Sequence, residues 1–136
     1  MMHKLLATLT ALTLLTACQT TGARNVANMT PAQLQAAKAQ DAKAAEAGYA
    51  RCDQTSANIV ESTKCKAAVR ERYITPYAPP EEQRISRILV AQNIALAEKI
   101  QRGEITEAQA REQYAAVVRS VMDQERRQHQ GRGGRS

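Results

Sequence analysis

Beyond residue 15 the apolar positions recur at helical rather than strand spacing, and the pattern is strongest in the second half of the chain. Ile85, Ile88, Leu89, Leu96 and Ile100 fall at i, i+3, i+4, i+11 and i+15 with Gln92 at i+7, while Val90, Ile94 and Ala97 widen the stripe. Pro80-Glu81-Glu82 places a proline and two acids in the first turn of this helix, and Gly103 ends it. Thr106-Glu107-Ala108-Gln109 then reads as a capping box opening a last helix over about 107–127. Ala110, Tyr114, Val117, Val118, Val121 and Met122 share one face of it, and Glu107/Arg111 and Asp123/Arg127 are spaced as favourable i,i+4 pairs. Residues 80–127 therefore predict an antiparallel αα-hairpin with arms of ~30 Å.

The first half is less apolar. Thr30-Pro31-Ala32-Gln33 carries helix-start chemistry, and the stretch to about Ala47 is rich in alanine with Leu34 as its main bulky member. Gly48 and the polar run Asp53-Gln54-Thr55-Ser56 are expected to interrupt it before a second helix over about Ala57–Tyr73, carrying Ile59, Val60, Val69 and Tyr73. Ile74 to Pro80 contains Pro76, Pro79 and Pro80 and predicts an extended connection. Gln128 to Ser136 has no apolar residue and predicts disorder. The fold class is all-α: a small bundle of about four helices over 30–127, with a C-terminal αα-hairpin, a flexible N-terminal tether and a disordered C-terminal tail.

Composition narrows this further. Of 136 residues 25 are alanine, Phe and Trp are absent and Tyr occurs four times. From Cys18 onward Leu, Ile, Val and Met number 19 in 119 residues, which suits seams between Ala-rich helices rather than a thick core. Most of the net charge of +6 resides in the tail, because residues 18–125 hold 14 basic and 13 acidic side chains whereas Arg126, Arg127, Arg132 and Arg135 have no acid among them. The length excludes a two-domain enzyme built around a buried cofactor cleft, and no cofactor is expected.

Residues 1–17 read as an export signal. His3 and Lys4 precede a mainly apolar run from Leu5 to Leu15, which as a helix reaches ~17 Å against a hydrocarbon core of ~30 Å. The run ends in Leu15-Thr16-Ala17-Cys18, which resembles the lipobox of bacterial lipoproteins. The resemblance covers about the first nineteen residues and implies cleavage before Cys18, a diacylglycerol thioether on its sulfur and usually acylation of the new amino terminus. Two or more acyl chains give lasting membrane attachment where one binds reversibly. Gln19 in the second mature position, where Asp favours inner-membrane retention, implies an outer-membrane lipoprotein facing the periplasm. Residues 18–29 would be the lipidated cysteine and its tether, with a coil reach of ~18 Å.

Assigning Cys18 to lipid leaves Cys52 and Cys65 as an even pair in an oxidising compartment. On one continuous helix they would stand ~20 Å apart, so a disulfide requires the chain to reverse between them; free or metal-bound thiols are the alternative.

Catalytic chemistry is sparse. His3 lies in the signal and His129 in the tail, so neither is expected to be held in a triad or a metal set, and Cys52-x₁₂-Cys65 lacks zinc and redox spacing. Glu81/Glu82 and Glu104/Glu107 are explained as helix-start acids rather than a glycosidase pair. Gly131-Arg132-Gly133-Gly134-Arg135 resembles the Arg-Gly-Gly boxes of RNA-binding proteins, but without aromatics and in an exported chain no nucleic-acid partner is expected. The expected function is that of a non-enzymatic lipoprotein, anchored by Cys18 and stapled by Cys52 and Cys65, that binds or scaffolds another envelope protein or self-associates through a surface including Val90 and Ile94. The alternative is a structural binder of anionic envelope polymer or cell wall through Arg126, Arg127, Arg132 and Arg135.

Overall fold

In the computed structural model, which describes residues 26–133, three of the four described α-helices begin at a side-chain cap and the one from Pro80 begins at proline. A short 3₁₀ turn, Val26–Asn28, precedes helix α1 at Pro31–Thr55. Thr30 caps α1 reciprocally: its hydroxyl accepts from the Gln33 N–H at 3.3 Å while Gln33 Oε1 accepts from the Thr30 N–H at 2.9 Å.

Helix α1 does not break at Gly48, contrary to the sequence expectation, and continues to Thr55. Its buried residues, Ala37, Asp41, Ala45 and Cys52, lie on one stripe that also contains Gly48. A Cβ at Gly48 would stand 2.9 Å from Val69 Cγ2 on the next helix. The missing side chain is what allows the two backbones to meet, and this packing offsets a helix-interior glycine penalty of ~1 kcal/mol.

Helix α2, Ile59–Tyr73, starts two residues later than the pattern predicts because Asn58 caps it, accepting from the Glu61 N–H at 2.9 Å. The Glu61 carboxylate in turn accepts from the Ala57 N–H at 3.0 Å. The connection expected to be extended instead contains a 3₁₀ turn, Thr75–Tyr77, with Pro76 in its first turn where a missing N–H costs nothing. The turn folds back on α1. Tyr77 donates its hydroxyl proton to buried Asp41 at 2.6 Å, Lys38 lies 5.9 Å from the centroid of the same ring, and Thr75 in the same turn is buried.

Helix α3 spans Pro80–Gln101, as the apolar period predicts. It ends in a Schellman arrangement: Gly103 takes φ +71°, its N–H reaches the Ile100 carbonyl at 2.9 Å, and the Glu104 N–H reaches that of Lys99 at 2.9 Å. Thr106 and Gln109 form the expected capping box, and α4 runs Glu107–Gly133. Residues 128–133, expected to be disordered, are therefore helical. Their sequence lacks an apolar face, but contacts to α3 hold the last turns, an ion pair of Glu125 with Arg84 and a 2.6 Å hydrogen bond between His129 Nε2 and Glu81. Residues 134–136 lie outside the described part.

Successive helices are antiparallel neighbours, α1 on α2, α2 on α3 and α3 on α4, and among the described residues α1 and α4 make no comparable approach. The cross-helix pairs trace this arrangement. Cys52–Cys65, Gly48–Val69 and Asp41–Tyr77 step along the first seam, Lys64–Glu98 (3.2 Å) and Glu71–Arg87 (2.9 Å) along the second, and Arg84–Glu125 and Glu81–His129 along the third. The exposed pairs fix register more than they stabilise. The buried apolar residues, Ala37, Ala45, Cys52, Leu96, Ala97 and Ala110, are mostly small, so the core is thin as the composition predicts. No described helix is long and apolar enough to cross a membrane.

Candidate functional site

Cys52 and Cys65 form a disulfide with Cα atoms 5.7 Å apart, and Cys52 is completely buried. Helix α1 ends at Thr55 and α2 begins at Ile59, so the reversal that the spacing demands lies between them. The staple fixes this end of α1 on α2, and the Asp41–Tyr77 hydrogen bond fixes α1 about three turns earlier.

A cavity of about 430 Å³ opens where all four helices contribute side chains. Ile59 of α2 and Leu89 and Val90 of α3 provide apolar wall. Tyr49 of α1 and Tyr114 of α4 reach the same space, and Arg70, Ser86 and Asn93 add polar groups. Arg70 is oriented there by its Nε–H, which donates to Ser86 Oγ at 3.0 Å.

Val90 thus belongs to the groove, and Ile94, one turn on, is half-buried. Helix α3 sits between α2 and α4, so its two apolar flanks find more cover than a count of Leu34 on α1 suggests. The large apolar side chains left most open among the described residues are Ile74 and Ile88, both 37% exposed, and Met122 at 45%.

A polar cluster lies at the other end of the α3–α4 hairpin from its turn. His129 Nε2 is 2.6 Å from Glu81 Oε1, Glu125 is 7% exposed and accepts from Arg84, and one ligand atom each from Glu81, Glu125 and His129 lie within 4.8 Å of one another. His129 is thus held on a helix, not carried in a loose tail as the sequence pattern predicts. The signal in the sequence was Glu125-x₃-His129, an i,i+4 pair that meets only if α4 persists this far.

The remaining acids stand apart from that cluster. Glu104 is paired with Arg102 at 2.5 Å in the α3–α4 turn; this hydrogen bond holds the Glu104 carboxyl below its ordinary range and the Arg102 guanidinium above its own. Glu107 is 3.7 Å from Arg111, and Glu82 is exposed. Asp123 pairs with Arg126 at 3.4 Å rather than with Arg127. Cys18 and Arg135 lie outside the described residues, and of Arg132 only the helical backbone is described.

No protein-family model, no curated protein and no solved structure matches the chain.

Proposed function

We propose that the chain is a lipid-anchored, non-enzymatic binding or scaffold module, held through Cys18 at the outer membrane on the periplasmic side, whose helical body engages another envelope protein or a second copy. The supporting observation is the open groove of about 430 Å³ shared by the four helices. Its mix of aliphatic wall, two tyrosines and an oriented arginine has the chemistry of a helix- or peptide-binding surface, where aromatic and arginine side chains contribute most to affinity. Leu89 and Val90 are the positions at which this groove and the apolar stripe of α3 coincide.

Crosslinking in intact cells, followed by mass spectrometry, tests the reading. A specific envelope partner or self-association should be captured by the parent and lost on replacing Val90 and Ile94 together by Gln, with helicity retained by circular dichroism. A parent that crosslinks to nothing, or a double variant that unfolds, refutes the groove as an interface. Cys18→Ser should leave precursor or release the protein from membranes into the aqueous phase of a detergent partition, and unchanged membrane retention overturns the anchor.

The second reading, an anionic-polymer binder, draws support from α4 carrying exposed Arg126 and Arg127 at its C-terminal end. Binding of that kind weakens steeply with ionic strength, whereas apolar groove packing does not.

A further inference from the structure

The cluster at the open end of the α3–α4 hairpin uses three side chains of the types that ligate divalent transition metals, brought together from two helices. We propose that Glu81, Glu125 and His129 bind a divalent ion of the Zn²⁺ class, with Arg84 as the positioning residue. Two observations converge on this.

The donor set is one imidazole and two carboxylates, and one ligand atom of each lies within 4.8 Å of the others; to share one ion at ~2.0–2.2 Å, His129 gives up its 2.6 Å hydrogen bond to Glu81 and the side chains draw together around the ion, as the exposure of His129 and the partial exposure of Glu81 allow. Glu125 and His129 are one turn apart on α4, and Glu81 faces them from the first turn of α3. The ion would close a hairpin whose opposite end is already closed by the Gly103 turn.

Glu125 is also placed as metal-ligating carboxylates are. It is 7% exposed, and the guanidinium of Arg84 occupies Oε1, fixing the carboxylate plane and leaving a second oxygen for a cation. His129 ligates through the neutral Nε2 lone pair, so binding competes with protons and weakens toward acid pH. Three protein ligands leave coordination positions open toward solvent on the exposed His129 side.

The test uses the full chain purified in detergent without an affinity tag. Thermal melts by circular dichroism compare excess EDTA with saturating Zn²⁺, and Zn²⁺ is expected to raise Tm by ~5 °C or more, as a ligand well above its Kd does for a domain of this size. His129→Ala and Glu81→Gln, both at partly or fully exposed positions, should keep the EDTA melt close to the parent's and lose the Zn²⁺ shift. Co²⁺ on the parent should give visible d–d absorption without a sulfur-to-metal charge-transfer band. Absence of the Zn²⁺ shift in the parent, an equal shift in both variants, or a thiolate band overturns the proposal. If the variants fail to fold, the parent's Co²⁺ spectrum decides alone: nitrogen and oxygen bands support the site, and their absence overturns it.

Discussion

Replacing Gly48 by alanine sets local helix propensity against tertiary packing at one atom. Glycine in a helix interior is ~1 kcal/mol worse than alanine, so on propensity alone Gly48→Ala stabilises α1. The added Cβ would meet Val69 Cγ2 at 2.9 Å and Cγ1 at 3.0 Å, where ordinary carbon contacts are ~3.5–4.0 Å. Relief requires α1 and α2 to part by about half an ångström or Val69 to leave its rotamer. A β-branched side chain on a helix has one strongly preferred χ1, and the Cys52–Cys65 disulfide one turn away resists separation of the backbones. Overpacking of this kind costs ~1–3 kcal/mol, so the net change falls between about zero and 2 kcal/mol of destabilisation.

The sign is resolved by a double-mutant cycle with Val69→Ala, read from urea or thermal unfolding. Val69→Ala alone loses packing. In its presence Gly48→Ala should become stabilising by ~1 kcal/mol, giving a coupling of ~1 kcal/mol or more between the two sites. If Gly48→Ala by itself raises stability by the full propensity increment, and the cycle shows no coupling, the close approach of α1 and α2 at this point is refuted.

Two further outcomes follow from the same seams. Alkylation of native protein without reductant should label neither Cys52 nor Cys65, and reduction should lower Tm by roughly 10 °C or more, since a loop of this size is worth ~3 kcal/mol in the chain-entropy account; full labelling of both residues refutes the staple. The Glu104 carboxyl is held below its ordinary value of 4.5 by the Arg102 hydrogen bond, so its stabilisation is present above that value and is lost as pH falls through the lowered one. The Tm difference between parent and Glu104→Gln should be present at neutral pH and close in acid; a difference that grows on acidification contradicts the assignment.

The parts of the fold that the sequence made legible are those decided within a few residues. Thr30 and Thr106 each precede a glutamine at the capping-box spacing, Gly103 is the residue that a left-handed turn requires, and the α3 stripe spans enough turns to define its period. The misread positions are those decided across helices. Gly48 reads locally as a breaker, but its role depends on Val69, 21 residues away in the chain. The turn carrying His129 reads as too polar to fold, but its partner Glu81 is 48 residues upstream, and Arg84, which holds Glu125 one turn earlier, is 41 residues upstream of that glutamate. Tyr77 looked like part of an extended proline-rich link because nothing near it in sequence announces Asp41.

The groove follows from the same composition that made the core hard to find. A closed four-helix bundle needs large side chains at its centre from every helix. The face that α1 buries offers Ala37, Asp41, Ala45, Gly48 and Cys52, which permit close contact with one neighbour but cannot extend across to a second. Helix α3, carrying most of the aliphatic bulk, satisfies its flanks with α2 and α4, and no matching stripe remains on α1 to draw α4 onto it. The space between is bridged only in part, by Tyr49 and Tyr114 reaching in from the two ends of the row. An alanine-rich first helix therefore accounts both for the tight disulfide-linked pair and for the open cavity. Enlarging small residues on the buried stripe of α1 would push it off α2 before it filled the groove, so the opening is built into the packing of the chain and does not depend on the conformation of any one loop.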